Sequence, residues 1–259
     1  MEVNGIDINT GLVGTAKQFK VTKFDKNLTV GGVIAGSIPV PGIDSYWQDV
    51  TVDIYVKSGV LDRNVVSGNI AKIISRFSDV VDLTLDNHDM YRGVLTGWSV
   101  SGLDKRRAQK LSLKLRGYFY KPFSFEWEGV IRNGVTINVQ HPVIVNAKIY
   151  GLYSSLVTVD MTGLTPDPMT GDDLPITFKP LSEMFEDEGL EIDTDSGKIW
   201  RLYGYEISGE PGIHWERDDY ALDEVPIIRS WPMLKPGSNT ITAPLGYTVK
   251  IVLSGREIL

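Results

Sequence analysis

Segment after segment of this chain alternates apolar and polar residues with a period of two, and a single stretch carries a helical period. In "DVTVDIYVK", Val50, Val52, Ile54 and Val56 alternate with Asp49, Thr51, Asp53, Tyr55 and Lys57. "VDLTLD" repeats the pattern through Val81, Leu83 and Leu85, and "KLSLKLR" through Leu111, Leu113 and Leu115. "GVTINVQHPVIVNAKIYG" continues it through Val135, Ile137 and Val139, then Val143, Val145 and Ala147, and "YTVKIVLSG" through Tyr247, Val249, Ile251 and Leu253. That period marks strands with one buried face. The exception is "SGNIAKIISRFSD", where Ile70, Ile73, Ile74 and Phe77 fall at i, i+3, i+4 and i+7, on one side of a helix. Ser67 or Asn69 is placed to cap its first N–H groups. After Asp79, the β-branched Val80 and Val81 favour a strand. A lone amphipathic helix in an antiparallel β protein covers a sheet face, so these four apolar residues are assigned to helix–sheet packing.

The chain has 259 residues, enough for two domains of roughly 130 residues each, either of which can bury a core. Its formal charge of -7 is uneven. Residues 1–128 carry 16 Lys and Arg against 14 Asp and Glu, whereas residues 129–259 carry 10 against 19. An acidic chain is a poor general nucleic-acid binder, and the split suggests two units with different surroundings. Many short strands with turns between them predict a mainly β protein of two β-sandwich domains, residues 1–130 with the helix and residues 131–259 without. The boundary is expected near Glu128–Gly134. "KQFKVTKFD" reads as a weaker early strand, "VGGVIAGSIPVPG" as a loop, and "GYFYKPFSFEW" as a strand region broken by Pro122. Residues 163–189 interrupt the second half with Pro166, Pro168, Pro175 and Pro180 and an acidic end. They read as a loop or short helix leaving the sheets. Its apolar Leu181, Met184 and Phe185, beside Glu186 and Asp187, either fold back on their own sandwich or dock a partner.

Catalytic signatures are missing from the sequence. There is no cysteine, which fits a reducing compartment and excludes cysteine-ligated metal. His88, His141 and His214 are far apart and stand in no metal spacing. "DTDSG" is closer to a turn than to a calcium loop, because its Gly comes one place early and no bidentate Glu follows at the right distance. No phosphate loop, dinucleotide fingerprint or serine-nucleophile elbow is present, so neither cofactor nor metal is expected, while the plentiful carboxylates leave a glycosidase pair open. There is no leader-like N-terminus and no apolar run long enough to span a bilayer. Two features invite binding roles. Trp200 and Trp215 are the tryptophans best placed for stacking on a glycan, against the alternative of core or inter-sheet packing. Lys105, Arg106, Arg107 and Lys110 crowd one hairpin tip, which is either simply solvated or turned toward DNA, where copies around a ring would sum to a substantial positive field.

Taken in order, these segments resemble the distal tail proteins of long-tailed phages that infect Gram-positive bacteria. The resemblance runs through "IPVPGIDSYW", "VTVDIYV", "NIAKIISRFSD", "VDLTLDNHDMYRGVLTGWSV" and "LSLKLRGYFYKP", then "HPVIVNAKIYG", "LEIDTDSGKIW" and "WPMLKPGSNTI". It departs at "PVPGIDSYW", where a Pro-Gly-Arg-Asp-like loop is the family's form. The resemblance implies an N-terminal β-sandwich with one helix, six copies of which form a ring between tail tube protein and tip hub. DNA would pass the channel without sequence-specific binding, and Lys105, Arg106, Arg107 and Lys110 would face it. It implies a galectin-like C-terminal domain outside the ring that supports peripheral baseplate or receptor-binding proteins. The location implied is the virion tail tip, assembled in the host cytoplasm, with no membrane partner. The resemblance implies no enzymatic activity. The alternative readings are a carbohydrate-binding protein that recognises host glycans through its C-terminal domain and, third, a two-domain glycan hydrolase.

Overall fold

A computed structural model describes residues 1–24, 47–60, 62–104, 108–130, 134–150, 159–166, 173–178, 188–194, 198–218, 233–241 and 248–259. Among these the structure is mainly β, with extensive antiparallel pairing and one α-helix. That helix is too short to cross a membrane. The chain packs as two units that divide between Lys121 and Pro122, upstream of the boundary expected near Glu128–Gly134.

In the first unit, β1 (Glu2–Val3), β2 (Ile6–Asp7), β3 (Gly14–Lys23) and β4 (Gln48–Ser58) precede helix α1 (Arg63–Ile74). After a 3-10 turn at Ser75–Phe77 come β5 (Val81–Thr84), β6 (Met90–Asp104) and β7 (Ala108–Val130). The strands hydrogen-bond in the order β3-β4-β7-β6-β5-β1-β2, every pair antiparallel. One face is the core: Val50, Val52, Ile54 and Val56 of β4 lie beside Leu111, Leu113 and Leu115 of β7, with Val81, Leu83 and Tyr91. Helix α1 covers this face with Val66, Ile70 and Ile73, followed by Phe77, while Ile74 packs at its margin. Burying a side chain such as Ile73 stabilises by about 1.5–3 kcal/mol.

The helix begins earlier than its apolar period suggests. Asp62 holds an extended backbone and its carboxylate accepts from the Asn64 N–H at 2.8 Å, so Asp62 is the cap and Ser67 lies inside the helix. Asn69 is not a cap either. It is buried, its Oδ1 accepts from the Val13 N–H at 3.1 Å, and its Nδ2 donates to the Val13 carbonyl at 2.9 Å. This pairs both backbone groups of Val13, which would otherwise need partners of their own. Tyr91, also buried, donates its hydroxyl to the Gln48 carbonyl at 2.8 Å, and burial pushes its phenol well above the usual range.

Two backbone details shape the sheet. Gly93 and Gly117 face each other across β6 and β7. A Cβ on Gly117 would stand 1.9 Å from the Arg92 carbonyl oxygen, so the strands approach there as only glycine allows. In β3 the register shifts between Gln18 and Lys20, leaving Phe19 as the extra residue of a bulge. Pro122 does not break β7 as expected. The β4 ladder ends at Gly117 and the β6 ladder at Tyr120, so its missing N–H falls past both.

The second unit takes in the end of β7 and then β8 (Val135–Val139), β9 (Val143–Tyr150), β10 (Val159–Pro166), β11 (Asp173–Phe178) and β12 (Glu188–Asp193). They are followed by β13 (Lys198–Glu206), β14 (Ile213–Asp218), β15 (Met233–Leu234), β16 (Gly237–Ile241) and β17 (Thr248–Ile258). Its main sheet runs β14-β13-β12-β9-β17, and β8 pairs with β16 in a separate ribbon. Val135, Ile137 and Ile241 of the ribbon share one core with Val143, Val145, Ala147 and Ile149 of β9 and Val249, Ile251 and Leu253 of β17. The Pro-rich excursion is part strand: β10 and β11 pair antiparallel, with Thr162 opposite Pro175 and Pro166 opposite Asp173. Each strand of an isolated two-stranded ribbon has an unpaired edge, where proline costs no ladder bond.

Candidate functional surfaces: two polar sheet faces

Register places the polar side chains of the first unit in rows across β3, β4, β7 and β6. Direct partners share a face, so Thr15, Lys57 and Ala108 form one row, and Lys17, Tyr55, Lys110 and Ser101 the next. Lys20, Asp53, Ser112 and Ser99 follow, then Thr22, Thr51, Lys114 and Gly97, and finally Asp49, Arg116 and Val94. This is the face opposite the helix and core. Asp53 is buried within it, held by Lys110 Nζ at 2.8 Å and by the Ser112 hydroxyl at 2.6 Å. Arg116 grips Asp49 through a fork of 2.9 and 3.1 Å, which holds the guanidinium above its usual range. Phe19, turned out by the bulge, lies 4.8 Å from the Tyr55 ring. Lys17, Lys20, Lys57 and Lys114 are exposed and form no ion pair among the described residues.

Of the four cations expected at the hairpin tip, Lys110 belongs to this face, while Lys105, Arg106 and Arg107 lie outside the described residues. The sequence reading missed Lys17, Lys20, Lys57 and Lys114. Their signal is present: each occupies a polar position of an alternating strand, and only strand pairing brings them together.

The polar face of the second unit differs. Glu191 of β12 lies opposite Lys148 of β9 on one side and Trp200 of β13 on the other. Arg217 of β14 reaches Glu191 through a fork of 2.8 and 2.9 Å, and Lys148 Nζ stands 3.2 Å away. The Arg217 fork, aided by Lys148, holds the Glu191 carboxyl below the usual carboxylate range, against the opposing effect of burial. The same guanidinium lies 4.0 Å over the Trp200 ring. Trp215, opposite Gly204 on this face, packs 4.6 Å from the Tyr150 ring, and Lys250 pairs with Glu126 at 2.6 Å. Both candidate tryptophans therefore sit on one sheet face, each against a side chain of that face.

No group of three or more metal-ligating side chains gathers among the described residues. His141 lies 3.1 Å from Glu257, His214 lies 3.0 Å from Glu210, and His88 sits in a turn with φ of 66°. Leu181, Met184, Phe185, Glu186 and Asp187 lie outside the described residues.

No protein-family model matches the chain, and no curated protein matches it. Among solved structures it is similar to the Dit protein (gp 19.1) of phage SPP1, described as a paradigm of the hub adsorption apparatus in phages that infect Gram-positive bacteria. The two share 13% identity over 98% of this chain and 97% of that one, with a TM-score of 0.49. It is also similar to a chain of the phage P2 baseplate in its activated conformation with calcium, at 10% identity over 96% and 92% of the two chains and a TM-score of 0.44. The corresponding strontium form of the phage p2 baseplate gives 11% identity over 95% and 92%, with a TM-score of 0.40. These structural neighbours are phage hub and baseplate proteins.

Proposed function

We propose that this chain is a structural protein of a phage tail tip, a distal tail protein whose first unit assembles with five further copies into a ring. The reading rests on the ordered series of sequence segments and on one structural observation: the first unit has two unlike free strand edges. β3 pairs only with β4, and β6 beyond Gly93 pairs only with β7 among the described residues. Each edge carries exposed apolar side chains, Val13, Phe19 and Phe24 near β3 and Trp98 and Val100 on β6, with Trp98 54% exposed. A cyclic ring joins two different patches of each copy, and uncovered edges of this kind are otherwise a liability.

In this reading the ring joins tail tube protein to tip hub, and DNA passes its channel during ejection. The second unit is the galectin-like part outside the ring, where residues 163–189 meet peripheral baseplate or receptor-binding proteins. The protein is assembled in the host cytoplasm, resides in the virion and has no catalytic role. Native mass spectrometry and negative-stain micrographs at high protein concentration, with tail tube protein added, test it. Six-copy rings are expected for the native chain, with loss of rings but an unchanged melting temperature for Trp98→Glu. A chain that stays monomeric throughout overturns the reading.

A second reading, glycan recognition by the second unit, is favoured by Trp200 and Trp215 sharing one face. It requires Arg217 to leave the Trp200 ring it covers. Glycan-array binding abolished by Trp200→Ala supports it, and an array without signal removes it.

A further inference from the structure

We infer that the polar face of the first unit's sheet binds duplex DNA through its phosphates, without regard to base sequence. This deepens the proposed tail-tip role, from which it takes only the source of the DNA. The rows of β3, β4, β7 and β6 bring together Lys17, Lys20, Lys57, Lys110, Lys114 and Arg116. The carboxylates among them, Asp53 and Asp49, are already held by Lys110 and Arg116. In the backbone register Asp104 stands opposite Ala108, at the end of these strands. Four exposed ammonium groups are left with no carboxylate partner among the described residues. In a chain of net charge -7 this is a local concentration of the opposite sign.

The geometry favours a phosphate backbone over an acidic protein. From Ala108 to Arg116 the face runs about 27 Å along β7 at strand rise, which matches roughly eight base pairs at 3.4 Å each. Most of the remaining positions are small or hydroxylated, among them Thr22, Thr51, Ser99, Ser101 and Gly97, so a rod can approach closely and find hydroxyl donors. Lysines are point charges without the fork that matches a carboxylate, and they are depleted from protein interfaces, whose centres are aromatic. Here a single aromatic pair, Phe19 on Tyr55, stands on the face.

The test is fluorescence anisotropy of the full chain against a labelled 24-base-pair duplex of arbitrary sequence and, separately, a labelled poly-glutamate peptide. Four phosphate contacts predict a log–log salt slope of about -3 to -4, so affinity falls roughly 100-fold between 50 and 200 mM salt. The double variant Lys17→Glu, Lys114→Glu is expected to lose at least ~10-fold in affinity and about two units of salt slope. Lys198→Glu, an exposed lysine on β13, makes the same kind of charge change elsewhere and is expected to bind like the native chain. No duplex binding at 50 mM salt, an equal loss in Lys198→Glu, or poly-glutamate binding as tight as DNA overturns the inference. Sedimentation of the same samples reads ring formation independently. Rings without DNA binding overturn this inference alone, and DNA binding without rings overturns the ring alone.

Discussion

The two polar faces use their cations in opposite ways. In the second unit Arg217 and Lys148 converge on Glu191, Arg217 also covers Trp200, and Lys250 holds Glu126. In the first unit Lys110 and Arg116 are engaged in the same manner, but Lys17, Lys20, Lys57 and Lys114 extend from neighbouring strands and form no ion pair among the described residues. A face whose charges are paired is complete within its own sheet. A face with surplus like charge gains from an external anion, since repulsion between its own cations is relieved when counter-charge arrives. The contrast shows why a charge total says little about a surface: the first half of the sequence is nearly neutral overall, yet strand register gathers its lysines on one side.

The largest effect that separates the two units is on their cores, which are distinct clusters. Ile73→Asp puts an unpaired carboxylate between helix and sheet, at a cost of several kcal/mol, comparable to the stability of a whole domain. Hydrogen exchange is expected to show β4, β5 and the first half of β7 unprotected while β9 and β17 stay protected. A soluble variant with native protection in β4 would place Ile73 outside the core. Next in size is Asn69→Ala, which leaves both backbone groups of Val13 without their clamp and is expected to destabilise by about 1–3 kcal/mol. Urea denaturation followed at the first unit reads it.

Smaller, and confined to the second unit, is Glu191→Gln, expected to cost about 1 kcal/mol at neutral pH because Arg217 and Lys148 are themselves half exposed. Its pH dependence has a definite sign. The folded carboxyl titrates below its unfolded value of about 4.3, so its contribution is present above that pH and is lost as pH falls through the folded value. Melting curves of the native chain and the variant are expected to converge in acid and to differ by a constant from pH 5 to 7. A gap that stays constant as the pH is lowered through the acid range would contradict this. Least of all, Lys20→Gln and Lys114→Gln are expected to change stability by less than about 0.5 kcal/mol each. A larger loss in thermal melting would mean that these lysines have partners within the fold and that the two faces are alike.

Much of the architecture was legible because most strands bury one face, which writes a period of two into the sequence. The helical face was legible for the same reason. The helix start was not, because Val65, Val66 and Gly68 are weak helix formers and the packing of Val66 overrides their preference. Asn69 read as a cap because a buried amide and a capping amide look alike until the partner, Val13, is known. Pro122, Pro166 and Pro175 read as breaks, although each stands within a strand of the structure. The polar face was the least legible feature. The contiguous Lys105–Lys110 cluster drew attention, whereas the lysines that register assembles are scattered between positions 17 and 114 and meet only across three strands.

The bulge at Phe19 bears on how this strand can change in length. Ala16 and Val21 are both on the core side of β3, five positions apart, a separation that places residues of a regular strand on opposite sides. Phe19 absorbs the odd position. If that one residue were deleted, Ala16, Gln18 and Val21 would alternate regularly with Lys17, Lys20 and Thr22, and every side chain would keep its face. An insertion or deletion elsewhere in β3 would turn the remainder of the strand inside out. Position 19 is therefore a built-in slack point, the place in this edge strand where a sequence can lose a residue and stay in phase.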